Sequence, residues 1–313
     1  MTINKILFTL FITITSFGFS QNNTQINYKS GCMHGEYQSF HENGQLKAEG
    51  NFFYNRRIGE WNVYNPEGEI IAQRHFDSLG HVKVNVPTSS NDAVIELLDK
   101  PRYKIERNKV GKYEWSQVKE GNVVWSKRVW SYFPEETNPD IYAFDWLQLT
   151  QKFELDEDDS LRREVTVYKN DEFKSFYEGD KSIAISHLKF LGVGLKKDYY
   201  YDLASRKMDA RVIGITVFTE NTITGQSKNF TYYYPTDLRP LLLQVNINHE
   251  DPNISNLDDL IFFNAYAEII YREESVNPPA KKFEPKEIDT YKAFSNEVKT
   301  QVIEVAHGFW VGI

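Results

Sequence analysis

The chain has 313 residues, a formal net charge of −8 at pH 7 and a single cysteine, Cys32. One cysteine cannot form an internal disulfide, so the chain must be held together by its hydrophobic core. A general nucleic-acid binder needs a basic face to neutralise phosphates, and the acidic balance argues against that class. The aromatic content of 15% is typical of a protein with many β-strands.

The first twenty residues have the pattern of a secretory signal peptide. Lys5 provides a positive start, the apolar run ILFTLFITITSFGF follows, and small residues precede Gln21. The run is shorter than the ~20 apolar residues of a transmembrane helix. Cys32 lies too far beyond the run to carry a lipid anchor. We therefore predict a signal peptide over residues 1–20 and export without a lipid anchor; the alternative is a buried N-terminal helix.

Residues 21–84 contain an internal repeat, in which Gly35–Ile58 aligns with Gly59–Val82. The segments ENG and PEG read as hairpin turns in which glycine supplies a positive φ. The pattern resembles the MORN-type repeat, which implies β-hairpins that serve binding or spacing and need support from neighbours. The anchors are Tyr37 with Trp61, Phe40 with Tyr64, Gly44 with Gly68, Leu46 with Ile70 and Phe52 with Phe76.

Residues 85–119 read as a linker between this repeat and the rest of the chain. The turn-rich NVPTSSND is followed by AVIELLDK, which predicts a short helix ending at Pro101. The next segment, RYKIERNKVGKYEWSQVKEG, is strongly polar and predicts an irregular, exposed connection.

Residues 120–313 mix strand and helix signals, which predicts an α+β domain. The segment VVWSKRVWSYF, at 123–133, is β-branched and aromatic and therefore predicts a strand. Alternation places Trp125 and Lys127 on one face of that strand, and Val124, Arg128 and Trp130 on the other.

Further elements follow in chain order, and each rests on a local signal. A helix is expected from Asn138, a strand in REVTVYKNDEFKSFYEG, and a hairpin of MDARVIGITVF with FTYYYP across Gly225. LRPLLLQVNI predicts a strand, and NLDDLIFFNAYAEIIYREES predicts a helix capped by Asn256. A last helix begins at Pro285 with an apolar stripe of Ile288, Tyr291, Phe294, Val298, Val302, Val305 and Phe309.

Four segments in this order and spacing resemble the GldN/PorN family: VVWSKRVW, LKKDYYYDLASRKMDARVIGI, NLDDLIFFNAYAEIIYREESV and HGFW. The resemblance covers about Glu120 to Ile313. It implies a non-enzymatic periplasmic subunit of the type IX secretion and gliding-motility machinery of the Bacteroidetes. It also implies assembly with a GldK/PorK-like lipoprotein into a large ring beneath the outer membrane, near a GldM/PorM-like periplasmic subunit. A MORN-like array ahead of this domain is not part of the family pattern.

No sequence motif for catalysis or cofactor binding is present, so neither an enzyme nor a cofactor is expected. His34, His41, His75 and His81 occupy different hairpin positions and read as exposed polar residues instead of metal ligands. The acidic stretches Asp156–Asp159 and Asp251–Asp259 lack the complete pattern of a calcium loop. A solvated loop and a helix cap are the simpler interpretations.

The candidate functional residues are therefore those of a protein interface, chosen as large aromatic or charged side chains in the strands and the last helix. Asp209 and Arg211 share one strand face, as an outward solvated pair or an interface pair. Phe309 and Trp310 end the apolar stripe, which either docks on its own sheet or projects towards a partner. The full set is Trp125, Lys127, Arg128, Trp130, Asp209, Arg211, Phe309 and Trp310.

Two functions compete at this point. The first is a subunit of the type IX secretion or gliding apparatus, and the second is an exported MORN-repeat adaptor at the cell envelope. A secreted enzyme would need a catalytic triad or metal cluster that the sequence does not show.

Overall fold

The computed structural model of the chain describes residues 24–83, 107–115, 118–151, 167–168, 187–274 and 283–312. Within these ranges lie two six-stranded antiparallel sheets and five α-helices. Several predicted features lie outside the described residues. They are the signal peptide at 1–20, the helix AVIELLDK, the acidic stretch Asp156–Asp159 and most of the strand in REVTVYKNDEFKSFYEG.

The first sheet is a meander in which each strand pairs with the next along the chain. Its strands are β1 (Thr24–Lys29), β2 (Cys32–Phe40), β3 (Leu46–Phe53), β4 (Arg56–Tyr64), β5 (Ile70–Phe76) and β6 (Val82–Lys83).

The internal repeat is visible in this sheet, because β2 and β4 have the same length and the same order of buried and exposed residues. Gly44 and Gly68 have φ of 82° and 86°, so both predicted glycine turns are confirmed. Two-residue turns with positive φ join two of the other hairpins, at Ser30–Gly31 and at Tyr54–Asn55. The MORN-type assignment of this repeat stays a prediction.

The second sheet has the order β12-β7-β9-β10-β11-β8. The predicted strand in VVWSKRVWSYF and the hairpin across Gly225 are both confirmed. The sheet consists of β7 (Val123–Tyr132), β8 (Val167–Tyr168), β9 (Leu188–Asp202), β10 (Lys207–Asn221), β11 (Ser227–Tyr233) and β12 (Ile269–Glu273).

Four of the helices are short, and the fifth is the C-terminal helix predicted from the apolar stripe. They are α1 (Pro139–Tyr142), α2 (Trp146–Gln151), α3 (Arg239–Leu242), α4 (Leu257–Phe262) and α5 (Lys292–Gly312). A 3₁₀ helix over Pro285–Tyr291 leads into α5. The chain is thus α+β, as its sequence indicated.

The helix predicted in NLDDLIFFNAYAEIIYREES is wrong in its second half. Asn256 caps α4 by accepting a hydrogen bond from the backbone N–H of Asp259 at 2.9 Å. The helix stops at Phe262, because Asn264 adopts a left-handed conformation with φ of 54°. The chain then runs through buried residues into β12, which pairs with β7. A continuously buried run carries no amphipathic signal to separate strand from helix.

Two other segments also differ from their predictions. LRPLLLQVNI contains α3 instead of a strand, since Pro240 favours the first turn of a helix. The part of the linker at 107–115 keeps several exposed side chains, but aromatic residues anchor it to the α+β domain. Tyr113 is buried, and Trp115 stacks on Phe262 with ring centroids 5.3 Å apart. Burial of these two aromatic rings stabilises the packing of the segment on the domain.

Helix α5 lies between the two sheets. Phe309 stacks on Tyr201 of β9, with ring centroids 4.4 Å apart. On the opposite side, Trp310 packs against Trp61 and Phe76 of the first sheet. The inner face of the first sheet, β9, β10 and α5 therefore share one hydrophobic core. A second core lies between the other half of the second sheet and helices α1 to α4.

Candidate interaction face

The strand register of the second sheet creates a row of charged side chains across three strands. Arg128 of β7 lies opposite Asp198 of β9, which lies opposite Arg211 of β10. Arg128 forms a two-pronged ion pair with Asp198, with Nε–Oδ1 and Nη2–Oδ2 distances of 2.7 and 2.8 Å. The guanidinium of Arg211 lies 5.3 Å from the ring centre of Tyr200. Residues paired across antiparallel strands point to the same side, so all four share one face.

Trp130 extends this row towards the edge strand β12. The guanidinium of Arg272 lies 3.9 Å from the ring centre of Trp130, and the Nζ of Lys196 lies 5.4 Å from it. A tryptophan ring attracts cations through its quadrupole. Trp130 is nevertheless only 6% exposed, so it supports the surface from beneath.

Asp209 lies on the same face, opposite Tyr200. Its carboxylate is 3.7 Å from the Nζ of Lys207 in a largely buried pair. The shared strand face of Asp209 and Arg211 is as predicted, with Met208 and Ala210 buried on the other side. We call this surface the charged face: Ser126, Arg128, Trp130, Lys196, Asp198, Tyr200, Asp209 and Arg211.

The other four predicted residues lie on the opposite face, next to α5. The ammonium of Lys127 contacts Glu273 and donates to Oε1 of Gln301 at 2.7 Å. Trp125 packs on the edge of the shared core, and Phe309 on Tyr201. Trp310 is 4% exposed and therefore an internal packing residue, not the end of a projecting helix. The structure thus divides the eight candidates into four on the charged face and four around α5.

The sequence analysis missed Lys196, Asp198 and Tyr200, although all three complete the charged face. A signal was available, because the alternation in LKKDYYYD places every second residue on one side of a strand. The sequence alone did not show which side would meet Arg128, since that depends on the pairing of β7 with β9.

A buried ion pair lies beneath α5, on the face opposite the charged face. Glu268 accepts hydrogen bonds from Lys197 at 2.5 Å and from Ser131 at 2.7 Å, and its backbone oxygen accepts one from Lys299 at 2.7 Å. Burial by itself would raise the pKa of Glu268, but Lys197 and Lys299 outweigh it and hold that pKa below its usual range. The pair is fully satisfied and holds α5 to the sheet.

The helix cap predicted at Asp251–Asp259 is present at Asn256, and the aspartates of this segment also form a set of arginine–aspartate pairs. Arg239 binds Asp258 with Nε–Oδ1 and Nη2–Oδ2 distances of 2.9 Å. Arg107 donates to Asp259 at 2.7 Å. The third pair joins Arg56 of the first sheet to Asp251. All three aspartates are buried, and a buried carboxylate requires such a partner.

Among the residues that the structure describes, no group of three or more His, Cys, Asp and Glu side chains is arranged to hold a metal ion. Within the same ranges, no helix has the length and apolar character that a membrane span needs. The thiol of Cys32 is buried, which raises its pKa to about 12. The geometry of the charged face is that of a recognition surface: planar guanidinium groups beside carboxylates and aromatic rings.

Comparison with known proteins identifies a family for the C-terminal part of the chain. Residues 138–311 match the family described as gliding motility associated protein GldN. The match runs from α1 to α5, and it leaves the first sheet and β7 outside. No curated protein matches the chain.

Proposed function

The chain belongs to the GldN family, and we propose that it is a non-enzymatic structural subunit of a type IX secretion or gliding-motility apparatus. Family membership itself points to a component of that apparatus. The proposal adds export to the periplasm and assembly with a GldK/PorK-like lipoprotein into a ring associated with the outer membrane. It also adds proximity to a GldM/PorM-like periplasmic subunit. The family match over residues 138–311 is the observation that carries the proposal.

The charged face is the surface that we propose for this assembly. Arg128 and Asp198 are each about one-third exposed, which leaves part of the pair accessible. Charged side chains at an interface set orientation and partner choice more than they set affinity. A large ring requires such orientation at each subunit contact. The aromatic rings of Trp130 and Tyr200 beneath the charges keep the guanidinium groups in place.

The test is affinity purification of the full tagged chain from cell envelopes. We expect co-purification of the ring lipoprotein and the motor-linked periplasmic subunit with the wild-type chain. The double variant Arg128→Glu, Arg211→Glu should lose them while keeping its circular dichroism spectrum. Lys292→Glu is the matched control, because this exposed lysine lies on α5, away from the charged face. Recovery of neither partner with the wild-type chain would refute the proposal.

An exported adaptor built on the repeat is the second candidate. It is favoured by the outer face of the first sheet, where polar side chains pair across the strands. Gln73 donates to Asn62 at 3.0 Å, and Tyr64 donates to Glu49 at 2.5 Å. The first sheet also lies outside the family match. The same purification separates the candidates, because an adaptor would recover an envelope partner without the ring lipoprotein.

A further inference from the structure

A cavity of about 140 Å³ lies between the first sheet, the start of β10 and α5. It is bordered by the repeat, by the loop after α4 and by the helix that holds the two sheets together. Apolar side chains form most of its wall: Met33, Phe52, Phe76, Leu79, Trp115, Met208, Phe262, Phe263, Val302 and Ile303.

The polar part of the lining carries more positive than negative charge. The cationic residues Arg56, Arg57, Lys197 and Lys299 line the cavity, against the carboxylate of Glu268. Lys207 and Asp209 also border the cavity, but their side chains belong to the charged face. Arg56 pairs with Asp251, and both Lys197 and Lys299 face Glu268.

Arg57 is the lining cation for which the described residues offer no such partner. The guanidinium of Arg57 lies 5.1 Å from the ring centre of Trp61 and 5.4 Å from that of Trp310. Its Nε and Nη2 atoms are buried and have no hydrogen-bond acceptor among these residues. Buried donors without acceptors are rare in folded proteins, because they lose the hydrogen bonds of water.

The electrostatics of Arg57 agree with this geometry. Burial lowers the pKa of Arg57 to about 10, which shows how poorly its surroundings support the charge. An anion inside the cavity would supply acceptors and opposite charge to Arg57.

We propose that this cavity binds a small carboxylate with an apolar body, whose carboxylate meets Arg57. The planar guanidinium group matches a carboxylate in shape and hydrogen-bonding geometry. The apolar body would lie against the aromatic and aliphatic wall. A cavity of ~150 Å³ accepts a molecule of the size of benzene, so benzoate has the right dimensions. Inorganic phosphate carries negative charge but has no apolar part that could pack against the apolar wall.

The test is binding of benzoate to the full chain, measured by calorimetry and by thermal unfolding. We expect saturable binding and a saturable rise of the melting temperature by about 3 °C, as for a ligand of the native state. Benzamide is the neutral control of the same shape, and inorganic phosphate tests the need for an apolar body. Both should bind at least ~10-fold more weakly than benzoate. Equal binding of benzamide or of phosphate would overturn the proposal.

Two variants locate the site. Arg57→Gln should weaken benzoate binding at least ~10-fold, which corresponds to about 1.4 kcal/mol. Lys286→Gln, at an exposed lysine that pairs with Glu284, should bind benzoate like the wild type. Unchanged affinity of folded Arg57→Gln would overturn the assignment.

If Arg57→Gln does not fold, NMR spectra of the wild-type chain with and without benzoate locate the site instead. Benzoate should shift the side-chain amides of Asn55 and Asn264 and the indole N–H of Trp115, which all line the cavity. Shifts elsewhere, or none, would overturn the proposal.

Discussion

Gly50 lies directly beneath the indole ring of Trp61 in the first sheet. A Cβ atom at this position would lie 2.1 Å from Cδ2 of Trp61 and 2.3 Å from Cε2. Trp61 is completely buried and contacts Tyr37, Phe52 and Trp310, so the ring has no room to move. Glycine is therefore required here for space.

Gly50→Ala should destabilise the chain by about 1–3 kcal/mol, the usual range for an overpacked core. Thermal unfolding followed by circular dichroism measures the effect as a lower melting temperature. Gly121→Ala is the control, since a Cβ at Gly121 would meet no atom within 4 Å. Equal melting temperatures for the two variants would show that Trp61 can shift at little cost.

His307 is buried between α5 and the first sheet, beside Tyr37, Trp61 and Trp310. Burial, with Arg57 and Lys47 nearby, holds the pKa of His307 well below its usual range. In the unfolded chain the same ring takes up a proton near pH ~6.5. The neutral ring of His307 thus favours the native state above that pH. Its contribution to the free energy of unfolding is lost as the pH falls.

The free energy of unfolding should therefore fall between pH 7 and pH 5, by up to ~1.4 kcal/mol per pH unit for this one ring. Urea unfolding at a series of pH values measures the slope. His307→Leu should reduce the slope. A residual slope is expected from His34 and His249, whose pKa values burial also lowers. The exposed His187→Asn variant should keep the full slope, and an unchanged slope in His307→Leu would contradict the assignment.

Helix α5 is the element that connects the two sheets. Its last turn inserts Phe309 against β9 and Trp310 against the first sheet. Lys47 of β3 pairs with Glu304 at 3.0 Å, and Lys127 of β7 bonds to Gln301 at 2.7 Å. The apolar stripe is long because the helix packs against partners on two sides over much of its length.

Ending the chain after Glu304 should lower the melting temperature by at least ~6 °C. Loss of a buried tryptophan or phenylalanine costs about 3–5 kcal/mol, at ~2–4 °C per kcal/mol. Ending the chain after Trp310 is the control, because Val311 and Gly312 are exposed. A near-unchanged melting temperature together with loss of an envelope partner would favour a projecting helix end instead.

The whole molecule depends on contacts between its two sheets. Arg56 of β4 pairs with Asp251, and Asn55 donates to the backbone oxygens of Asn264 and Tyr266 at 2.8 and 2.9 Å. The inner face of the first sheet packs on α5, β9 and β10. A short repeat array normally needs neighbours to bury its apolar face, and here the second sheet and α5 provide that cover.

Residues 21–84 expressed alone should therefore be unfolded or aggregated. Isolated, the sheet would expose the inner side chains Tyr37, Phe52, Trp61 and Phe76. Amide proton dispersion in NMR spectra and cooperative thermal unfolding are the measurements, with the full chain as the comparison. A well-dispersed spectrum of the fragment would show that the repeat is an autonomous domain.

The sequence by itself determined the features that depend on neighbouring residues. The repeat, its glycine turns, the strand at 123–133 and the hairpin across Gly225 all follow from periodicity and turn chemistry. The ordered motifs also indicated the GldN family, which the match over residues 138–311 shows. Export over residues 1–20 and the linker boundary at 85–119 stay predictions.

Only the tertiary structure decided which distant residues meet. The pairs of Arg56 with Asp251 and of Arg107 with Asp259 join positions more than 140 residues apart, so no local pattern reveals them. The residues before β12 are buried on all sides, which removes the alternation that distinguishes a strand. Trp310 became a core residue because the first sheet covers the end of α5. Local sequence determines the helices and strands, and long-range packing determines which of their faces remain exposed to solvent.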